Sequence, residues 1–235
     1  MNSLKIPKLK VRGEVRVGDV PQLMLAHGVD YQRVATVNWP EAYPYCPQVE
    51  VALAHTGGQL LVHFRVSEQC LRAMADGDGG RVWEDSCCEL FLQPEASPAT
   101  PDAFPATPDV APATPYYNIE CNCAGTLLLA KGESRHGRQP ASPTIMQSIS
   151  RWTSLGRSQI PLTDGPASWN LALIIPASAL FEAGLTDFTG LSMRANIYKC
   201  GDRLTTPHFL SLFPVRTKTP DFHRPEFFQD IHFQG

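Results

Sequence analysis

The sequence predicts an all-β fold, an antiparallel β-sandwich of jelly-roll type with one or two short helices, and three observations carry that expectation. Short runs alternate apolar and polar residues between Gly, Pro and Asp, while helical periodicity is scarce. With 43% hydrophobic and 18% charged residues, the 235-residue chain can bury a sizeable interior. Sandwiches of this size are often one unit, so residues 1–235 are expected to form a single domain.

In chain order, 49–55 and 60–66 read as a hairpin, with Leu60, Val62, Phe64 and Val66 on its inward face. Ser67 to Ala75 reads as a helical turn or two. Between about 94 and 115 a degenerate Pro-Ala-Thr-Pro repeat predicts an extended surface loop, because proline cannot donate to a ladder and the segment has little to bury. Further strands are expected at 87–92, 116–123, 126–130, 144–150, 169–175, 190–199, 208–213 and 230–233. Pro176 to Gly184 reads as a short helix, opened by proline and closed by glycine.

Lys and Arg number 20 against 23 Asp and Glu, a net charge of -3 without a basic block, so nucleic acid is not an expected partner. No stretch approaches the roughly 20 apolar residues of a membrane span. The first residues have no apolar leader core, which predicts a cytoplasmic protein, or an extracellular or periplasmic one if a leader is removed. Seven cysteines (46, 70, 87, 88, 121, 123 and 200) form no CxxC pair, which predicts reduced, mostly buried thiols; Cys121 and Cys123 should share the core side of a strand. HxH, HExxH, GxSxG, P-loop and GxGxxG patterns are absent, so no catalytic residue and no cofactor is assigned.

Three segments carry candidate binding chemistry. Arg81 to Leu92 places Trp83, Glu84 and Asp85 before a strand in which Glu89 and Phe91 share one face and Cys88, Leu90 and Leu92 the other. Glu84 and Asp85 read either as solvated turn residues or as functional carboxylates, and Trp83 as a core aromatic or a stacking platform. In Tyr116 to Cys123, Asn118, Glu120 and Asn122 share one face, opposite Tyr117, Ile119, Cys121 and Cys123. In Met193 to Cys200, Arg194, Asn196 and Tyr198 fall together, and Arg194 reads either as a ligand contact or as an ion-pair partner of Glu89 or Glu120.

The order Trp83-x-Asp85-Ser86-x-x-Glu89-Leu90-Phe91, then Tyr117-x₄-Asn122-x₂-Gly125, resembles family 9 carbohydrate-binding modules and their DOMON-type relatives. Val82 to Cys87, Tyr116 to Asn118, Arg194 to Asp202 and Pro220 to Phe227 resemble recurring blocks of a bacterial family 9-like subgroup, covering the chain from about Trp39 onward. The resemblance implies a sugar-binding sandwich in which two tryptophans clasp a sugar end, with Trp83 in one of those places and Glu89 as its acidic partner. It puts Glu120 and Asn122 among polar sugar contacts, where an arginine is common in place of Glu120; Phe209 or Phe213 must stand in for the second tryptophan. The ligand set so expected is Trp83, Glu89, Asn118, Glu120, Asn122, Arg194, Asn196 and Phe209. The family can hold structural calcium, for which no dense acidic loop is present.

Two other functions fit parts of the pattern. A haem-binding DOMON-type domain would draw on Met74, Met146 or Met193 with His63 or His208. A glycan-processing enzyme would pair Glu84 or Asp85 with Glu120.

Overall fold

The computed structural model describes residues 3–95 and 114–235; all but the ends of the expected Pro/Ala/Thr loop lie outside the described residues. The strands are β1 (Leu4–Ile6), β2 (Gln32–Arg33), β3 (Thr36–Val37), β4 (Gln48–His55), β5 (Gln59–Ala73), β6 (Cys87–Pro94) and β7 (Tyr116–Asn122), then β8 (Leu127–Gly132), β9 (Gln139–Pro140), β10 (Ser150–Thr153), β11 (Ile160–Pro176), β12 (Ser192–Cys200), β13 (Phe209–Ser211) and β14 (Gln229–Phe233). Two helices, α1 (Val20–Ala26) and α2 (Pro143–Ser148), interrupt them.

These strands form a sandwich of two sheets. One runs β1-β14-β12-β6-β7-β8-β9, with β13 and β3 joined to β12; the other runs β10-β11-β5-β4-β2. All pairings between these strands are antiparallel except that of β1 with β14. Period-two alternation sends Leu90, Ile119 and Ile197 from one sheet and Leu60, Val62, Phe64 and Val66 from the other into a shared core. Cys121 and Cys123 join it, and six of the seven cysteines are buried; only Cys46 is exposed.

Both outer faces are also partly covered. α1 lays Val20 and Met24 on Ala52, Ala54, Leu61 and Ala172 of the smaller sheet. On the larger sheet, Phe91, Tyr116 and Tyr198 meet Trp39, Phe222 and Phe228, which arrive on loops.

That second cover follows from how β12 is paired. One edge of β12 meets β14 over Ser192 to Ala195 and β13 over Tyr198 to Cys200, so the chain between β13 and β14 must leave the sheet. Asn196 sits at this fork: its Nδ2 donates to the Phe213 carbonyl at 2.9 Å and its Oδ1 accepts from the Phe213 amide at 3.0 Å. The released segment folds across the outer face, where Phe222 stacks on Tyr198 with centroids 4.1 Å apart.

Three local expectations fail. Residues 144–150 are mostly helix α2, because Ser142 Oγ caps Ile145 N (3.3 Å) and Pro143 takes the first helical position. Ser67 to Ala73 continues β5 and is not helical, since β11 supplies ladder partners as far as Ala73. Pro176 to Gly184 makes only a 3-10 turn at Ala177–Ala179.

Candidate functional site

Trp83 lies in a 3-10 turn, Val82–Glu84, between β5 and β6. The turn is anchored from below by Asp85, which is fully buried and accepts from the Arg72 guanidinium, Met74 N (3.0 Å), Ala75 N (3.0 Å) and Asn122 Nδ2 (2.9 Å). It is anchored laterally where Asp202 N and Arg203 N each donate, at 3.1 Å, to the carbonyls of Trp83 and Glu84. Glu84 pairs with Arg81 at 2.9 Å and Arg203 at 3.1 Å. Both carboxylates are thus buried structural anchors, which corrects their reading as solvated turn residues and leaves neither free to pair with Glu120 for catalysis. Trp83 itself stays half-buried, with the Arg81 guanidinium 5.7 Å from its ring centroid.

Beside that ring opens a cavity of about 640 Å³ on the outer face of the larger sheet. Strands β6, β7 and β8 form its floor through Glu89, Asn118, Glu120 and Leu128, β13 adds Phe209, and loop segments bring in Tyr43, Asp202, Arg138 and His223. Tyr43 and Phe209 meet edge to face, 4.8 Å between centroids.

The polar floor is a connected chain. Glu89 and Glu120 are cross-strand partners, as are Glu89 and Tyr198. Asn118 Nδ2 donates to Glu120 Oε1 at 2.8 Å, and Arg138 Nε donates to Asn118 Oδ1 at 2.9 Å. Arg138 lies 4.2 Å over the Tyr116 ring and also donates to the carbonyls of Tyr116 and Ser134. Glu120 Oε2 is buried and has no partner among the described residues, an acceptor left to whatever enters the cavity. Burial pushes the Glu120 carboxyl up to about 7, against the opposing hydrogen bond from Asn118. Burial and then Glu120 push Glu89 well above the usual carboxylate range. Burial lowers His223 to about 3, so its ring is neutral, bonded to the Tyr116 hydroxyl at 2.9 Å.

Five of the eight expected ligand residues, Trp83, Glu89, Asn118, Glu120 and Phe209, therefore line one cavity, while Phe213 does not. The other three have internal partners instead. Asn122 Oδ1 accepts from Ala124 N and Thr126 N, holding the turn at Gly125, whose φ of 80° suits glycine. Asn196 closes the β12 fork, and Arg194 donates to Gln93 and to the carbonyls of Glu226 and Phe228, not to Glu89 or Glu120. Tyr43, Arg138, Asp202 and His223 went unread because they reach the cavity from loops, where no periodicity marks a face.

Four of the five haem-ligand candidates are not poised for axial bonding. His63 is held by Tyr31 (2.6 Å) and Asn170 (3.0 Å), and His208 by Lys199 (2.9 Å) and the Thr206 carbonyl (3.0 Å), so each ring has both nitrogens engaged. Met146 and Met193 are buried between the sheets. Among the described residues, the group of His, Cys, Asp or Glu side chains close enough to share an ion is Cys87, Glu89 and Cys200. Two sulfurs and a carboxylate do not fit calcium, which takes six to eight oxygens. No described helix is long and apolar enough to cross a membrane.

A sequence profile described as carbohydrate-binding family 9 matches residues 18–233. A protein of Bacteroides uniformis ATCC 8492, assigned as carbohydrate-binding, is 39% identical with a TM-score of 0.89, over 99% of each chain. A carbohydrate-binding module of family 9 from Caldicellulosiruptor kristjanssonii, solved with glucose, shares the fold at 12% identity and TM-score 0.51, over 100% of this chain and 96% of that one. The same kind of module solved with cellotriose gives 11% and 0.53, over 100% and 94%. A search of curated proteins finds no match.

Proposed function

The chain belongs to carbohydrate-binding family 9, and we propose that its outer-face cavity is a noncatalytic receptor for the end of a sugar or glycan. The observation that carries the reading is Trp83, half-exposed on a cavity whose buried floor holds an acceptor, Glu120 Oε2, without a partner among the described residues. A pyranose presents C–H groups on its faces and hydroxyls around its edge, so it asks for an aromatic plane beside fixed polar groups. Trp83 offers the plane, with Phe209 in place of a second tryptophan. Glu120, Asn118 and Glu89 offer the polar edge, and Arg138 Nε holds Asn118 through its Oδ1. The volume of about 640 Å³ suits a small ligand. A core shared by both sheets supports reading residues 1–235 as one domain.

Calorimetric titration with mono- and oligosaccharides tests this. A shallow site of this kind gives dissociation constants near the millimolar range, about -4 kcal/mol. Trp83→Ala should weaken the best ligand about tenfold or more while the chain still unfolds in one cooperative transition. Silence of the unaltered protein toward every sugar at millimolar concentration overturns the reading.

A further inference from the structure

We propose that Cys87, Glu89 and Cys200 form a binding site for a zinc-like divalent metal at the edge of the cavity floor. Cys87 and Cys200 are direct cross-strand partners on β6 and β12, and Glu89 lies two residues along β6 on the same face. All three side chains are buried, and their ligand atoms lie within 4.8 Å of one another; Cys200 Sγ donates to Glu89 Oε1 at 3.0 Å. A tetrahedral ion needs donors spaced by little less than this, so small side-chain rotations suffice.

The donor set selects the ion. Two thiolates and one carboxylate suit a borderline-soft dication, and three protein ligands leave a fourth position open. Glu89 and Cys200 both line the cavity, so that position has an aqueous route and could hold water or a ligand hydroxyl.

Ordinary burial of thiols accounts less well for this trio. Cys88, Cys121 and Cys123 pack between the sheets as small apolar groups, whereas Cys87 and Cys200 share the outer face with a buried carboxyl that makes no ion pair among the described residues. A bound dication would supply the counter-charge for the carboxylate and thiolates that form as it binds. Binding replaces two S–H bonds and the carboxyl O–H with bonds to the metal, the protons passing to solvent; no oxidation is involved.

Cobalt(II) is the probe. The full chain, chelator-treated and reduced, is titrated without oxygen, and thiolate-to-cobalt absorption is followed to a one-to-one endpoint that zinc then bleaches. Cys200→Ser and Cys87→Ser should abolish the band. Glu89→Gln should weaken cobalt binding about tenfold or more, and Cys46→Ser and Cys88→Ser should leave it unchanged. Absence of a thiolate band in the unaltered chain overturns the site, as does its persistence in Cys200→Ser or its loss in Cys46→Ser. The readout is the metal itself, so it is independent of whether a sugar binds.

Discussion

Glu120→Gln should stabilise the protein above neutral pH and leave it unchanged in acid. The Glu120 carboxyl is buried, and folding raises it from an ordinary 4.5 to about 7. Above that value the folded state must hold a buried carboxylate that the unfolded chain holds in water. The gap corresponds to about 3 kcal/mol at about 1.4 kcal/mol per pH unit. Because the folded value is the higher one, the cost is absent below about pH 4.5, grows between there and about pH 7, and stays level beyond. Gln keeps the Oε1 acceptor that Asn118 uses but carries no charge, so the variant escapes the cost. Urea denaturation of both proteins with a chelator present should show a gain of about 3 kcal/mol near pH 8, about 1 near pH 5.5 and none near pH 4.5. A difference independent of pH, or a variant less stable at pH 8, refutes the electrostatic account of the cavity floor.

Two further substitutions test what holds the site in place. Asp85→Ala should cost about 3–5 kcal/mol in urea denaturation, because it strands the Arg72 guanidinium and three further donors in the interior. Lys199→Met should cost a similar amount by leaving Glu68, 2.8 Å from the ammonium and bonded to Trp169 Nε1, as an unpaired buried carboxylate. Adding Glu68→Gln to Lys199→Met should restore part of that loss, whereas simple additivity would show that the pair is not coupled.

The parity of β6, β7 and β12 was legible in the sequence because polar side chains, Glu89, Asn118, Glu120, Asn122, Arg194 and Asn196, alternate with the apolar ones that enter the core. One side chain in two meets the inter-sheet core, and the other set meets the aromatic cover or the cavity. Parity identifies a face but not which part of it stays open. Asn122, Asn196 and Arg194 lie on the outer face with Glu120, yet a turn, the β12 fork and the Glu226 to Phe228 segment take up their hydrogen bonds. The same limit hid Arg138 and His223, whose positions depend on loops that cross from other strands. Cys87 and Cys200 stand 113 residues apart and meet only through cross-strand register, so local spacing rules for metal sites pass over them.

The most direct test follows the four tryptophan indole N–H resonances while the best sugar is added. Trp39 and Trp169 donate their indole N–H groups to Thr217 O and Glu68 within the fold, whereas Trp83 borders the cavity. The Trp83 signal should shift most, saturating with the calorimetric affinity, and the Trp169 signal should stay fixed. Saturable binding that leaves Trp83 unmoved while Trp152 shifts would place the sugar elsewhere and contradict the account.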